Sequence, residues 1–150
     1  MSRVFKFSES ASLAIHAMLL LSENSNSILS NNQISKAIGA SSNHMAKVLL
    51  SLSKHGLIKA IRGPGGGFNM QVDPDELSLF DIYICIEPDF TNTRCFFDVP
   101  KCDGQFCVMG KFTRDTVQKV ADKMKKTKLN SLNVAVKFGL KGGKTDENSE

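Results

Sequence analysis

Apolar positions in this chain fall into blocks whose period changes from helical to strand-like and back. The first block, residues 11–21, is apolar around most of its circumference, as expected of a helix that starts near Ser8 and is buried on nearly all sides, partly against another subunit. Polar residues 22–27 end it. Ser30 followed by Gln33 has the spacing of a capping box, and Ile34, Ala37 and Ile38 then precede Gly39, which predicts a short second helix. After a brief turn, a third helix begins at Ser41 or Ser42. Its inward stripe is Met45, Val48, Leu49 and Leu52, while Asn43, His44, Lys47, Ser51 and Lys54 lie off that stripe and Gly56 ends the helix.

The period then shortens. Residues 57–62 read as one strand and residues 68–72, which alternate apolar and polar, as another. Between them Gly63-Pro64-Gly65-Gly66-Gly67 is a turn by composition. Two helices, a tight turn and a hairpin make a winged helix-turn-helix. Ser78 and Asp81 open a fourth helix over residues 79–86, stopped by Pro88. No sustained period runs through residues 89–106, and a loop of that length in a compact domain usually has a task. From Val108 a long helix places Phe112, Val117, Val120, Ala121 and Met124 on one side and lysines on the other. It cannot bury that stripe alone, so it is expected to cross a partner subunit. Leu129, Leu132, Val134 and Val136 pack a last short element.

The expected class is therefore mainly α with a small β-hairpin, a winged helix-turn-helix plus a long C-terminal dimerisation helix. Its expected parts are a winged helix-turn-helix DNA-binding domain over residues 1–87, a cysteine-bearing sensor loop over 88–107, a dimerisation helix region over 108–138 and a disordered tail over 139–150. The chain has 150 residues, 41% of them hydrophobic and 23% charged, which excludes a fully disordered protein and limits it to about one domain. The longest unbroken apolar run is far shorter than a membrane span, and the N-terminus lacks the pattern of a signal peptide, so a cytoplasmic protein is expected. A net charge of +4 permits an anionic partner without demanding one. Residues 111–128 carry seven Lys/Arg against two Asp, while acids outnumber bases between residues 73 and 103.

Four cysteines without an export signal argue for reduced thiols, metal ligation or redox chemistry rather than a disulfide framework. Cys95, Cys102 and Cys107 fall within thirteen positions of the loop, where three thiolates can converge on one iron–sulfur cluster or one metal ion. Cys85, on the apolar fourth helix, reads as a small buried side chain.

The run Arg62-Gly63-Pro64-Gly65-Gly66-Gly67-Phe68 is preceded by Lys54-His55-Gly56-Leu57-Ile58 and followed by Leu77-Ser78-Leu79-Phe80-Asp81-Ile82. Together these resemble the Rrf2 family of bacterial winged-helix transcription regulators, of the IscR and NsrR types, from about Lys6 to Glu87. The resemblance implies a homodimer on a roughly two-fold symmetric site in double-stranded DNA. Ser41, Ser42, Asn43, His44 and Lys47 of the third helix are the candidates to face the major groove. Arg62 is the candidate for the minor groove, with Gly63, Gly65 and Gly66 letting the backbone approach phosphates. Cluster-type relatives carry a glutamate at the position matched here by Ala46, so their operator sequence is not expected to transfer.

Many relatives hold an iron–sulfur cluster on the loop, [2Fe–2S] or [4Fe–4S], and others hold none. The cysteine intervals here differ slightly from those typical of relatives. The fourth ligand is open: Ser12 stands where some relatives have a carboxylate, with Glu9 and His16 on the same helix face and Asp98 and Asp103 in the loop. Control by a cluster is the leading expectation. A cluster-free regulator acting through cysteine redox chemistry or a small ligand is the alternative. An enzyme using residues 65–67 as a phosphate loop and His44 or His55 as a base lacks the strand-to-helix context such loops need, so no enzymatic activity is expected.

Overall fold

The computed structural model describes residues 7–92, 95, 97 and 101–132. Helix α1, Glu9–Glu23, begins where the Ser8 hydroxyl accepts from the Ala11 N–H. It is the central helix of the fold: Ala14, Ala17, Met18, Leu20 and Leu21 are fully enclosed by α3, α4 and the hairpin of the same chain. Its nearly all-round apolar surface is thus used largely within one chain.

Helix α2, Asn31–Ile38, has the anticipated capping box, with Gln33 N–H donating to the Ser30 hydroxyl and the Gln33 side chain accepting from Ser30 N–H. Gly39 closes it at a φ of 80°, in the left-handed region that favours glycine. Helix α3, Ser42–Lys54, is capped by Ser41, and its stripe of Met45, Val48, Leu49 and Leu52 is buried as the spacing requires. Each such enclosed side chain contributes about 1.5–3 kcal/mol relative to exposure.

Strands β1, Ile58–Ile61, and β2, Gly67–Met70, pair antiparallel with Ile58 opposite Met70 and Ile61 opposite Gly67. They are shorter than the alternation suggested, because Arg62 and Gln71 lie outside the ladder. On its other side β2 is tied to Leu29: Leu29 N–H donates to Phe68 O at 3.0 Å, and Phe68 N–H donates back at 2.8 Å. The wing is thereby anchored immediately before the cap of α2.

Helix α4, Leu79–Ile86, carries a second capping box from Ser78 and Asp81. Helix α5, Gly110–Lys126, starts two residues later than the sequence pattern indicates, since Val108 and Met109 form a turn. Of its expected stripe, Ala121 and Met124 are buried, whereas Phe112 is 56% exposed. Met124 and Ala11 pack with Tyr83, whose ring meets Phe7 and Phe90 edge-on at centroid distances of 5.2 and 4.9 Å. A last 3-10 turn, Leu129–Leu132, returns to the segment just before α4, where Leu129 N–H donates to Leu77 O at 2.8 Å. Val134 and Val136 lie outside the described residues, as does the tail.

Candidate functional site

The unit formed by α2 and α3 is held by buried apolar contacts and by a polar seam at its turn. Asn31 Nδ2 donates to Ser42 O at 2.9 Å, the Ser42 hydroxyl donates to Asn32 Oδ1 at 3.1 Å, and Ser35 and Ser42 hydroxyls lie 3.2 Å apart. Ser41 and Ser42 therefore do structural work: one caps α3 and the other fastens it to α2.

His44 is also partly committed. Its Nε2 is hydrogen-bonded to the Ser10 hydroxyl at 2.9 Å, and its Nδ1 stands 3.8 Å from Glu9 Oε1, so the ring links α3 to the first turn of α1. What α3 presents to solvent is a stripe of Asn43, Ala46, Lys47 and Leu50, opposite the buried one. Leu50, 55% exposed, was not singled out from the sequence, where it sits inside the run Val48-Leu49-Leu50. Helical spacing was the available signal, because Leu50 is seven residues from Asn43 and five from Met45.

The wing follows α3 through Gly56. Arg62, Gly63 and Gly65 are exposed at its tip, and Lys59 on β1 adds another exposed cation. Gly63 has a φ of 101°, and Gly66 N–H donates to Gly63 O at 2.9 Å. A Cβ on Gly66 would lie 2.3 Å from Ile61 O, so this glycine is needed by the hairpin itself. The turn thus requires a backbone that leaves little side-chain bulk at the tip beside Arg62.

In the loop, Cys95, Cys102 and Cys107 border one cavity of about 260 Å³, together with Phe97, Lys101, Phe106, Val108 and Met109. Cys102 is exposed and the other two are half-buried. Among the described residues no group of three His, Cys, Asp or Glu side chains is gathered tightly enough to hold a metal ion. The thiols share a cavity without forming a closed ligand set. Cys107 leads into α5, where Gly110 is packed so closely that a Cβ there would be 3.2 Å from Cys107 Cβ.

Neither Glu9 nor His16 lines this cavity within the chain. Glu9 faces His44, and His16 Nδ1–H donates to Ser12 O at 2.7 Å. Asp98 lies outside the described residues, and Asp103 is exposed with Oδ1 accepting from Gln105 N–H. Cys85 is a different kind of thiol. Burial, helped by nearby Asp81, raises its pKa to about 11, and Sγ–H donates to Asp81 O at 3.0 Å. Burial and Glu87 likewise push the Tyr83 hydroxyl up.

A family model described as an iron-dependent transcriptional regulator, Rrf2, matches residues 7–134. The chain belongs to the Rrf2 family. Among its curated Rrf2 relatives, an HTH-type transcriptional regulator NsrR from Bacillus subtilis is 36% identical over 69 residues, 45% of this chain and 47% of that protein. An HTH-type transcriptional regulator IscR from Aliivibrio salmonicida is 26% identical over 88 residues, 59% of this chain and 52% of that protein. These matches span about half the length of each relative. The fold extends further than the identity. CymR of B. subtilis, the global cysteine regulator, superposes with a TM-score of 0.71 at 19% identity, over 89% of this chain and all of that one. IscR of T. potens does so with a TM-score of 0.68 at 20% identity, over 91% and 95%. Both the curated relatives and these structures are regulators rather than enzymes, and among the described residues no helix is long and apolar enough to cross a membrane.

Proposed function

We propose that this Rrf2 protein is a DNA-binding transcription repressor that acts as a homodimer on a pseudo-palindromic operator. The observation carrying this reading is the solvent-facing stripe of α3 beside a wing whose exposed tip bears Arg62. An α-helix fits the major groove, where Asn43 can pair with adenine and Lys47 with guanine or phosphate. Arg62 on a slim glycine tip suits a narrow minor groove, where the negative potential is enhanced. Ser41, Ser42 and His44 act mainly by setting the pitch of α3 against α2 and α1, and Gly63, Gly65 and Gly66 by shaping the wing. Dimerisation through α5 accounts for the apolar surface left at its start, including Phe112 and Met109.

Control by an iron–sulfur cluster is supported by three soft thiol donors lining one cavity in the loop that follows α4 and precedes α5 in the chain. Cys95, Cys102 and Cys107 would hold it, with the fourth position open to Glu9 or His16 of a second subunit or to Asp103. When bound, the cluster supplies a redox-active, removable charge at that junction. The chain's own part is to gather the three cysteines, ordering the segment that joins α4 to α5 and biasing the spacing of two α3 helices. The separated thiols and the exposed Cys102 favour a second reading, a cluster-free regulator answering cysteine oxidation or a small ligand.

Anaerobic purification with an absorption spectrum and iron and sulfide assay distinguishes the two. Gel shifts on the gene's own upstream region, with and without reconstituted cluster, test the regulator. Coloured protein whose DNA affinity changes on cluster loss is expected. Colourless, iron-free protein from cells able to build clusters selects the second reading. Cluster-independent failure to bind any selected duplex overturns both.

A further inference from the structure

Resting on the DNA-binding reading, we infer that Leu50, with Ala46 one turn before it, reads the 5-methyl group of thymine in the major groove. Leu50 is the one large apolar side chain that α2 and α3 leave exposed; the others are turned into the core or half-covered. It stands seven residues beyond Asn43 and three beyond Lys47, so all three share the outward stripe. Ala46 is exposed four residues before Leu50, and the pair forms a short apolar strip flanked by the amide and the ammonium. The side chain is free of structural duty there: the core of α3 is complete with Met45, Val48, Leu49 and Leu52.

The edges of base pairs in the major groove offer donors, acceptors and one apolar group, the thymine methyl. A polar or charged residue at position 50 would compete for donors and acceptors. A leucine can recognise the methyl and nothing else on that edge. Lys47 and Asn43 then fix register through phosphate and adenine, while the apolar strip discriminates T·A from C·G pairs beside them. The expected operator therefore carries thymines within each half-site where α3 crosses it.

The test begins with selection of duplexes from a random pool by the full-length protein, giving a bound consensus. Each thymine of that consensus is then replaced by uracil, which removes only the methyl group. For the native protein, uracil at one or two positions per half-site should weaken binding about three- to fivefold, the effect of losing one buried methylene-sized group. Leu50→Asn should bind thymine and uracil duplexes equally, and Leu50→Met should keep the preference. Both variants should stay folded because the side chain is exposed, with Leu50→Asn unfolding a few degrees lower since asparagine is the weaker helix former. Indifference of the native protein to uracil, or an unchanged preference in Leu50→Asn, overturns the inference while leaving DNA binding intact. Selection of no duplex at all overturns the DNA-binding reading, and this inference with it.

Discussion

The helix-turn-helix with its wing and the cysteine loop with the start of α5 are built by opposite rules. In the first, nearly every feature has two reasons to be where it is. Ser30 both caps α2 and follows the residue that pairs with β2, and Ser42 both opens α3 and bonds to Asn32. In the second, Phe97, Phe106, Val108, Met109 and Phe112 are all substantially exposed, up to 93% for Val108, and the start of α5 has no side-chain cap. A region so over-determined is held in place by its own contacts. One with exposed apolar side chains around three thiols has fewer contacts of its own to hold it. The contrast matches the proposed division, recognition in the first region and response in the second.

The strongest way to break this contrast is to attack both regions with the same kind of truncation. Leu49→Ala, at a fully enclosed site between α3 and the core, should destabilise the protein by about 2–5 kcal/mol in urea unfolding. Phe106→Ala, at a side chain 92% exposed, should change it by less than about 0.5 kcal/mol. Equal losses would mean that the loop is as firmly packed as the recognition unit.

Arg62→Ala sharpens the comparison from the functional side. The side chain is exposed at the wing tip, so its loss should leave urea unfolding unchanged and weaken operator binding by about 1–3 kcal/mol. Gel shifts at fixed salt measure this. Unchanged affinity at a selected site would remove Arg62 from the groove-reading set.

The two regions also differed in how legible they were. Helix caps, the inward stripe of α3 and the hairpin turn depend on neighbours close in sequence, so Ser30–Gln33, Met45–Leu52 and the glycine run announced them. The roles of Ser42 and His44 depend on residues ten or more positions away, Asn32 and Ser10, and neither contact has a local signature. Helical position, which makes both candidates for DNA contact, does not reveal these bonds. Leu50 is hard to place for the converse reason: in an apolar run, chemistry suggests the core while geometry puts it outside. The cysteines were visible as a cluster in sequence, but spacing does not reveal whether three thiols on an irregular loop converge. The start of α5 slid from Val108 to Gly110 because a turn with no capping side chain leaves the boundary unmarked.

A smaller effect probes the redundancy of contacts in the helix-turn-helix. Ser30→Ala removes the acceptor for Gln33 N–H and half of the capping box of α2, which should cost about 1 kcal/mol of stability. Because Leu29 remains paired to Phe68, the wing should keep its amide exchange protection while the first turn of α2 loses its own. Protection lost from both together would show that the cap, not the strand pairing, holds the wing.

The finest distinction lies among the four thiols. Cys85 is a buried residue of α4 with its pKa raised to about 11 from 9.0, chiefly by desolvation and secondarily by Asp81. Since the thiolate is the nucleophile, Cys85 should resist iodoacetamide near pH 8 in the folded protein, while the exposed Cys102 is alkylated. The linkage has a definite sign. From about pH 9 to about pH 11 the unfolded chain releases the Cys85 proton and the folded chain retains it, so folding stability falls as pH rises through that window and is unaffected by this group below it. Comparing native protein with Cys85→Ala by urea unfolding isolates the effect, since the variant should lose that increment of alkaline destabilisation. Identical pH profiles, together with alkylation of Cys85 as rapid as that of Cys102, would place this thiol with the loop cysteines and leave α4 as part of the responsive region rather than its fixed support.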